Sequence, residues 1–89
     1  MTNKLISAAK EKEKDGDILG AIDLYKVAWR EDSKNIFLQI EIGNLYAIIE
    51  EYEEAAGFFR RSHYALKDNL HVIGALGFCL NKIGNSYFI

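Results

Sequence analysis

The chain has 89 residues, 49% of them apolar and 27% charged, a balance that sustains one folded core and excludes a disordered chain. Eleven Lys and Arg against thirteen Asp and Glu leave a formal charge of -2, which excludes a broad basic field, so nucleic acid is not an expected partner. Cys79 is the single cysteine and excludes an internal disulfide, and no apolar run reaches the roughly 18 residues that cross a bilayer.

The first stretch, "MTNKLISAAKEKEK", lacks the continuous hydrophobic centre of a signal peptide, and a cytoplasmic location without membrane insertion is expected. Leu5, Ala8 and Ala9 have the three-four spacing of a helix face, as do Ile18, Ala21, Ile22, Tyr25, Ala28 and Trp29 in the next segment. Between them lies "DGD", where Gly16 suits a left-handed C-cap and Asp17 suits the cap of the second helix. These two segments predict a helical hairpin.

Asn35 is a good N-cap for a third helix over about Ile36 to Ile49, which is apolar on nearly all sides and is therefore expected to be sandwiched at the centre of the fold. A fourth helix is predicted from about Tyr52 to Leu66. After the polar turn "KDN", a fifth runs from about Leu70 to Ile83, where "GN" is expected to break it. The chain has no proline and no convincing period-two segment, so an all-α fold is expected.

The shift that lays Ala21 on Ala55 also lays Tyr25 on Phe59, Asn35 on Asn69, Ile42 on Leu76, and Gly43 on Gly77. Small residues at Ala21 and Ala55 would let helices approach, with the aromatics one turn on filling the space beside them. A unit that cannot bury its own face, stacked on copies of itself, builds a solenoid.

With that period the chain resembles the tetratricopeptide (TPR) family, whose helix-turn-helix unit has the same length, about 34 residues. In "IGNLYAIIEEYEEAAGFF", Ile42, Gly43 and Tyr46 stand where the family has its first-helix Leu, Gly and Tyr, and Ala55 and Phe59 match its second-helix Ala and aromatic. "GDILGAIDLYKVA" and "LGFCLNKIGN" match the corresponding parts of a first and a third unit. Departures are Lys12 for Tyr, Ser62 for the closing Ala, and Ser33 and Lys67 where Pro is usual. The resemblance implies a single domain over residues 1–89, with units over about 2–35 and 36–69 and a partial unit over about 70–89, stacked as antiparallel helix-turn-helix repeats in a right-handed superhelix. The third unit stops at Ile89 before a second helix, and a further copy of the "GDILGAIDLYKVAW" stretch is expected to begin at Gly84.

The resemblance also implies that the first helix of each unit lines a concave surface that holds a peptide or helix of a protein partner. Carried over by position, the lining is Asn3, Ile6, Lys10 and Lys14, then Phe37, Ile40, Glu41, Asn44 and Ile48, then His71, Ala75, Phe78 and Lys82. Phe37, Ile40 and Phe78 would supply apolar contact, and Asn44 would fix a backbone amide. Phe37 and Ile40 also read as core. One TPR subgroup clamps the carboxylates of a C-terminal Glu-Glu-Val-Asp tail; the five matching positions here are Ile6, Lys10, Glu41, His71 and Ala75, which do not reproduce that clamp. The stretch "IIEEYEEAAGFF" is also similar to the middle of some TPR-like secretion chaperones.

No enzyme, cofactor or metal site is expected. His63 and His71 lack a metal-ligand spacing, the glutamates of "EEYEE" lack the glycine of a calcium loop, and "GALGFC" reads as close helix packing inside a helix rather than a phosphate loop. An open third unit with the tail "SYFI" has three readings: a piece of a longer array, a tail folded back as a short cap, or self-association through the fifth helix and Tyr87, Phe88 and Ile89. The last is the one expected here and would make a homo-oligomer the alternative partner.

Overall fold

The computed structural model describes the backbone over residues 2–88 and side chains over residues 2–84. Five helices follow one another: α1 (Thr2–Lys14), α2 (Ile18–Glu31), α3 (Ile36–Ile48), α4 (Tyr52–Ala65) and α5 (Leu70–Phe88), with no strand among the described residues. The expected all-α class stands, the expected first hairpin forms as α1 and α2, and α3 and α4 lie within one residue of the bounds expected for them.

The turns explain why the helices stop where they do. Gly16 has φ of 80°, its N–H donates to the Glu13 carbonyl at 3.0 Å, and the N–H of Asp17 donates to Lys12 at 2.9 Å, which satisfies the last carbonyls of α1. One sequence period further on, Glu50 has φ of 62°, with its N–H on Ala47 at 3.1 Å and that of Glu51 on Tyr46 at 2.9 Å. The geometry is the same, although Glu50 carries a Cβ into a conformation that glycine takes freely. Asn35 Oδ1 accepts from Leu38 N at 3.3 Å and Asn69 Oδ1 from Val72 N at 3.0 Å, so the starts of α3 and α5, again one period apart, are capped alike. Asp17 caps α2 by accepting from Gly20 N at 2.9 Å. Glu51, at the matching place before α4, makes no side-chain cap.

Each helix packs on its neighbours in the chain: α1 on α2, α2 on α3, α3 on α4, and α4 on α5. One apolar cluster joins Ala9, Ala21, Ile22, Tyr25, Ala28, Leu38, Ile42 and Leu45, with Phe58 closing it from α4. A second joins Ala55, Ala56, Phe59 and Cys79, and Tyr46 packs against both. Burial of the larger of these side chains contributes about 1.5–3 kcal/mol each. Gly43 admits the ring of Phe59 onto α3, and Ser62, fully buried, donates to the Phe58 carbonyl at 3.0 Å.

Three expectations need correction. Gly84 and Asn85 do not break α5, which runs on to Phe88. Ile83 packs against the second cluster, and continuing the helix satisfies the carbonyls of the preceding turn at a glycine cost of about 1 kcal/mol. No third copy of the turn seen at Gly16 and Glu50 therefore begins at Gly84. Gly74 and Gly77 do not mark close packing, because a Cβ on either would meet nothing within 4 Å. Finally, α3 is not sandwiched all round: Leu38, Ile42 and Leu45 are buried, but Phe37 and Ile48 are exposed. Ile89, and the side chains of Tyr87 and Phe88, lie outside the described residues.

Candidate functional site

Helical spacing puts Phe37, Glu41, Asn44 and Ile48 on one stripe of α3, and His71, Ala75, Phe78 and Lys82 on one stripe of α5. Two side-chain contacts join these stripes to one another and to α1. The Lys10 ammonium lies 5.9 Å from the centre of the Phe37 ring, at the outer reach of a cation–π contact. His71 Nε2 lies 3.3 Å from Asn44 Oδ1, a hydrogen bond in which the ring donates when Nε2 carries the proton. Asn44 and His71 stand one sequence period beyond Lys10 and Phe37 respectively, so the same positions meet twice along the chain. One side-chain contact thus links the α1 stripe to that of α3, and one links α3 to α5.

Glu41 sits half-buried among them. Burial, and then the Glu13 carboxylate, push its carboxyl up from the ordinary value, against the opposing pull of Lys10 and His71. Phe78 is half-exposed, with the Tyr52 ring edge-on at 5.8 Å and the Lys82 ammonium 5.5 Å from its centre. Ile40 is half-buried and serves core and surface together. Lys14 is highly exposed and its ammonium reaches Glu11 at 4.0 Å, at the rim rather than within the stripes. Asn44 already has its amide oxygen engaged by His71, which leaves its Nδ2 protons for a further acceptor. The fold thus gathers Lys10, Phe37, Glu41, Asn44 and His71, and sets Phe78 with Lys82 beside Tyr52.

Two open cavities lie elsewhere, and neither is lined by a residue of the α1, α3 and α5 stripes. One, of about 230 Å³, lies at the start of α4 among Glu50, Glu51, Tyr52, Glu53, Glu54 and Ile83. The other, of about 460 Å³, lies between α2 and α4. Sequence reasoning missed the second, although the pattern Phe58-x-x-Arg61 one turn apart on α4 was available as a signal. Among the described residues no group of three or more His, Cys, Asp and Glu is placed to hold a metal ion. No helix among them is long and apolar enough to cross a membrane.

A scan against protein-family models finds no match to this chain, and a search of curated proteins finds none.

Proposed function

We propose that the chain is a TPR-like interaction module whose α1, α3 and α5 stripes hold a peptide segment or helix of a protein partner. The observation that carries this reading is the exposure of Phe37, Ile48 and Phe78, at 46, 63 and 50%, on stripes edged by Lys10 and Lys82. Large apolar groups left in water beside cations are what a partner's apolar anchors and acidic flanks would cover. The recurrence of turn, cap and cross-helix contacts at one constant period supports the TPR-like stacking, and with it a right-handed superhelix that curves these stripes inward. The test is selection from a displayed peptide library against the intact chain, repeated with Phe37→Ala and Phe78→Ala. Peptides that lose binding to both variants, while the helical circular dichroism of each persists, support the reading. Peptides that bind all three proteins equally overturn it.

A second reading, self-association through α5, is favoured by one observation. Gln39, Gly43 and Tyr46 of α3 meet Ser62, Phe59 and Phe58 of α4, whereas their counterparts one period on, Ile73, Gly77 and Leu80, are exposed. Leu70, at 82% exposure, extends that uncovered strip. Sedimentation equilibrium would report an oligomer that Leu80→Lys converts to monomer. A wild-type monomer at all concentrations removes this reading.

A further inference from the structure

The cavity between α2 and α4 is built around Arg61. Its guanidinium carbon lies 5.0 Å from the centre of the Phe58 ring and 5.4 Å from that of Trp29, and the two rings meet edge to face at 5.1 Å. The cation is thus held in the angle between two aromatic walls. Rings inclined at 72° let the guanidinium plane stack on one of them at most, and a stacked guanidinium keeps in-plane N–H donors directed away from that ring. Among the described residues, no carboxylate pairs with Arg61 and no group accepts a hydrogen bond from it.

The surroundings define what those donors would meet. Gly57 lies beside the guanidinium with no side chain to fill the space, where a Cβ would come no nearer than 3.7 Å to Nη1. Lys26 and Arg30 bring two further positive charges to the same groove. Lys26 is anchored by donating to Tyr46 Oη at 3.1 Å. Glu53 and Glu54 bring two negative charges, so the lining carries a net excess of one positive charge. That excess matches a single carboxylate better than a dianionic phosphate, and a planar guanidinium matches a carboxylate with two parallel hydrogen bonds. The part-exposed Trp29 ring beside it, backed by the buried Phe58, matches an apolar side chain.

We propose that this groove binds the C-terminal carboxylate of a partner peptide, received by Arg61, with the peptide's last side chain, aromatic or large and apolar, against the part-exposed ring of Trp29. The site is separate from the α1, α3 and α5 stripes and stands or falls independently of them. Trp29 is the only tryptophan in the chain, so its fluorescence reports the groove directly. The experiment titrates the intact protein with N-acetyl-phenylalanine, with the corresponding carboxamide, and with inorganic phosphate. The acid should give a saturable change in Trp29 emission with an affinity about tenfold or more above that of the amide, the loss expected when a charged hydrogen-bonding group is removed. Arg61→Lys, which keeps the charge but loses the planar fork, should weaken the acid by a similar factor; Phe37→Ala should not. Equal responses to acid and amide, or phosphate binding as tightly as the acid, overturn the proposal. The acid–amide comparison is made on the unaltered chain and needs no variant to fold.

Discussion

A methyl group placed on Gly43 would lie 2.9 Å from Cε1 of Phe59, inside the distance that carbon atoms keep. Glycine is required there because the ring fills the space that a Cβ on α3 would occupy, and Phe59 is itself fully buried. Gly43→Ala should therefore destabilise the fold by about 1–3 kcal/mol, the usual range for overpacking. Adding Phe59→Leu should recover part of that loss, and a double-mutant cycle by urea unfolding would measure the coupling.

The α3–α4 turn can be improved by copying the α1–α2 turn. Glu50→Gly removes the left-handed strain at φ of 62°, and Glu51→Asp supplies an acceptor for Glu54 N of the kind that Asn35 gives Leu38 N. Each change should add about 1 kcal/mol. For a chain of this length the pair should raise the thermal midpoint by several degrees, measurable by circular dichroism. Gly16→Ala should act in the opposite direction.

Glu41 should make stability fall as pH rises through its own titration. Its carboxyl is held above the ordinary value by burial and by Glu13, so in the window from 4.5 upward the folded state binds more protons than the unfolded state. Stability from this group is fully present below 4.5 and is lost as pH rises through the raised folded value. Glu41→Gln should flatten that part of the profile and should be the more stable protein at pH 7. Urea midpoints of both proteins, measured from pH 4 to 8, test the sign.

Tyr25 carries a buried hydroxyl that meets no partner among the described residues. Burial, followed by the charges of Glu13 and Glu41, pushes its phenol up to about 12 from 10.0. Tyr25→Phe should cost nothing or stabilise slightly, since an unpaired buried hydroxyl contributes no net hydrogen bond. The neutral phenol is the form the fold accepts, so stability falls as pH rises from 10 toward 12, and in the variant this component disappears. A spectrophotometric titration should find one of the five tyrosines ionising last.

What could be read from sequence was what depends on a few consecutive residues. The caps at Asp17, Asn35 and Asn69 and the left-handed Gly16 involve partners within five positions, so residue type alone indicates them. The stripe Phe37, Glu41, Asn44, Ile48 follows from helical period once α3 is recognised. What could not be read depends on which helix lies alongside. Gly43 and Gly77 occupy matching places, yet one receives a ring from α4 and the other faces open space. Gly84 and Asn85 have turn chemistry, yet α5 continues through them, with Ile83 just before them packed against the second cluster. The contact of Asn44 with His71, and that of Arg61 with Trp29, join residues on different helices and have no local signal.

Because each helix packs on its neighbours in the chain, the contacts that build this fold are close together along the sequence. Such a topology closes only short loops on the way to the native state, which places folding in the microsecond to millisecond range. It also lets order be lost from an end inward. α2, α3 and α4 are each flanked by two neighbouring helices, so amide protons should exchange with solvent last where Tyr25, Leu38 and Ile42 meet.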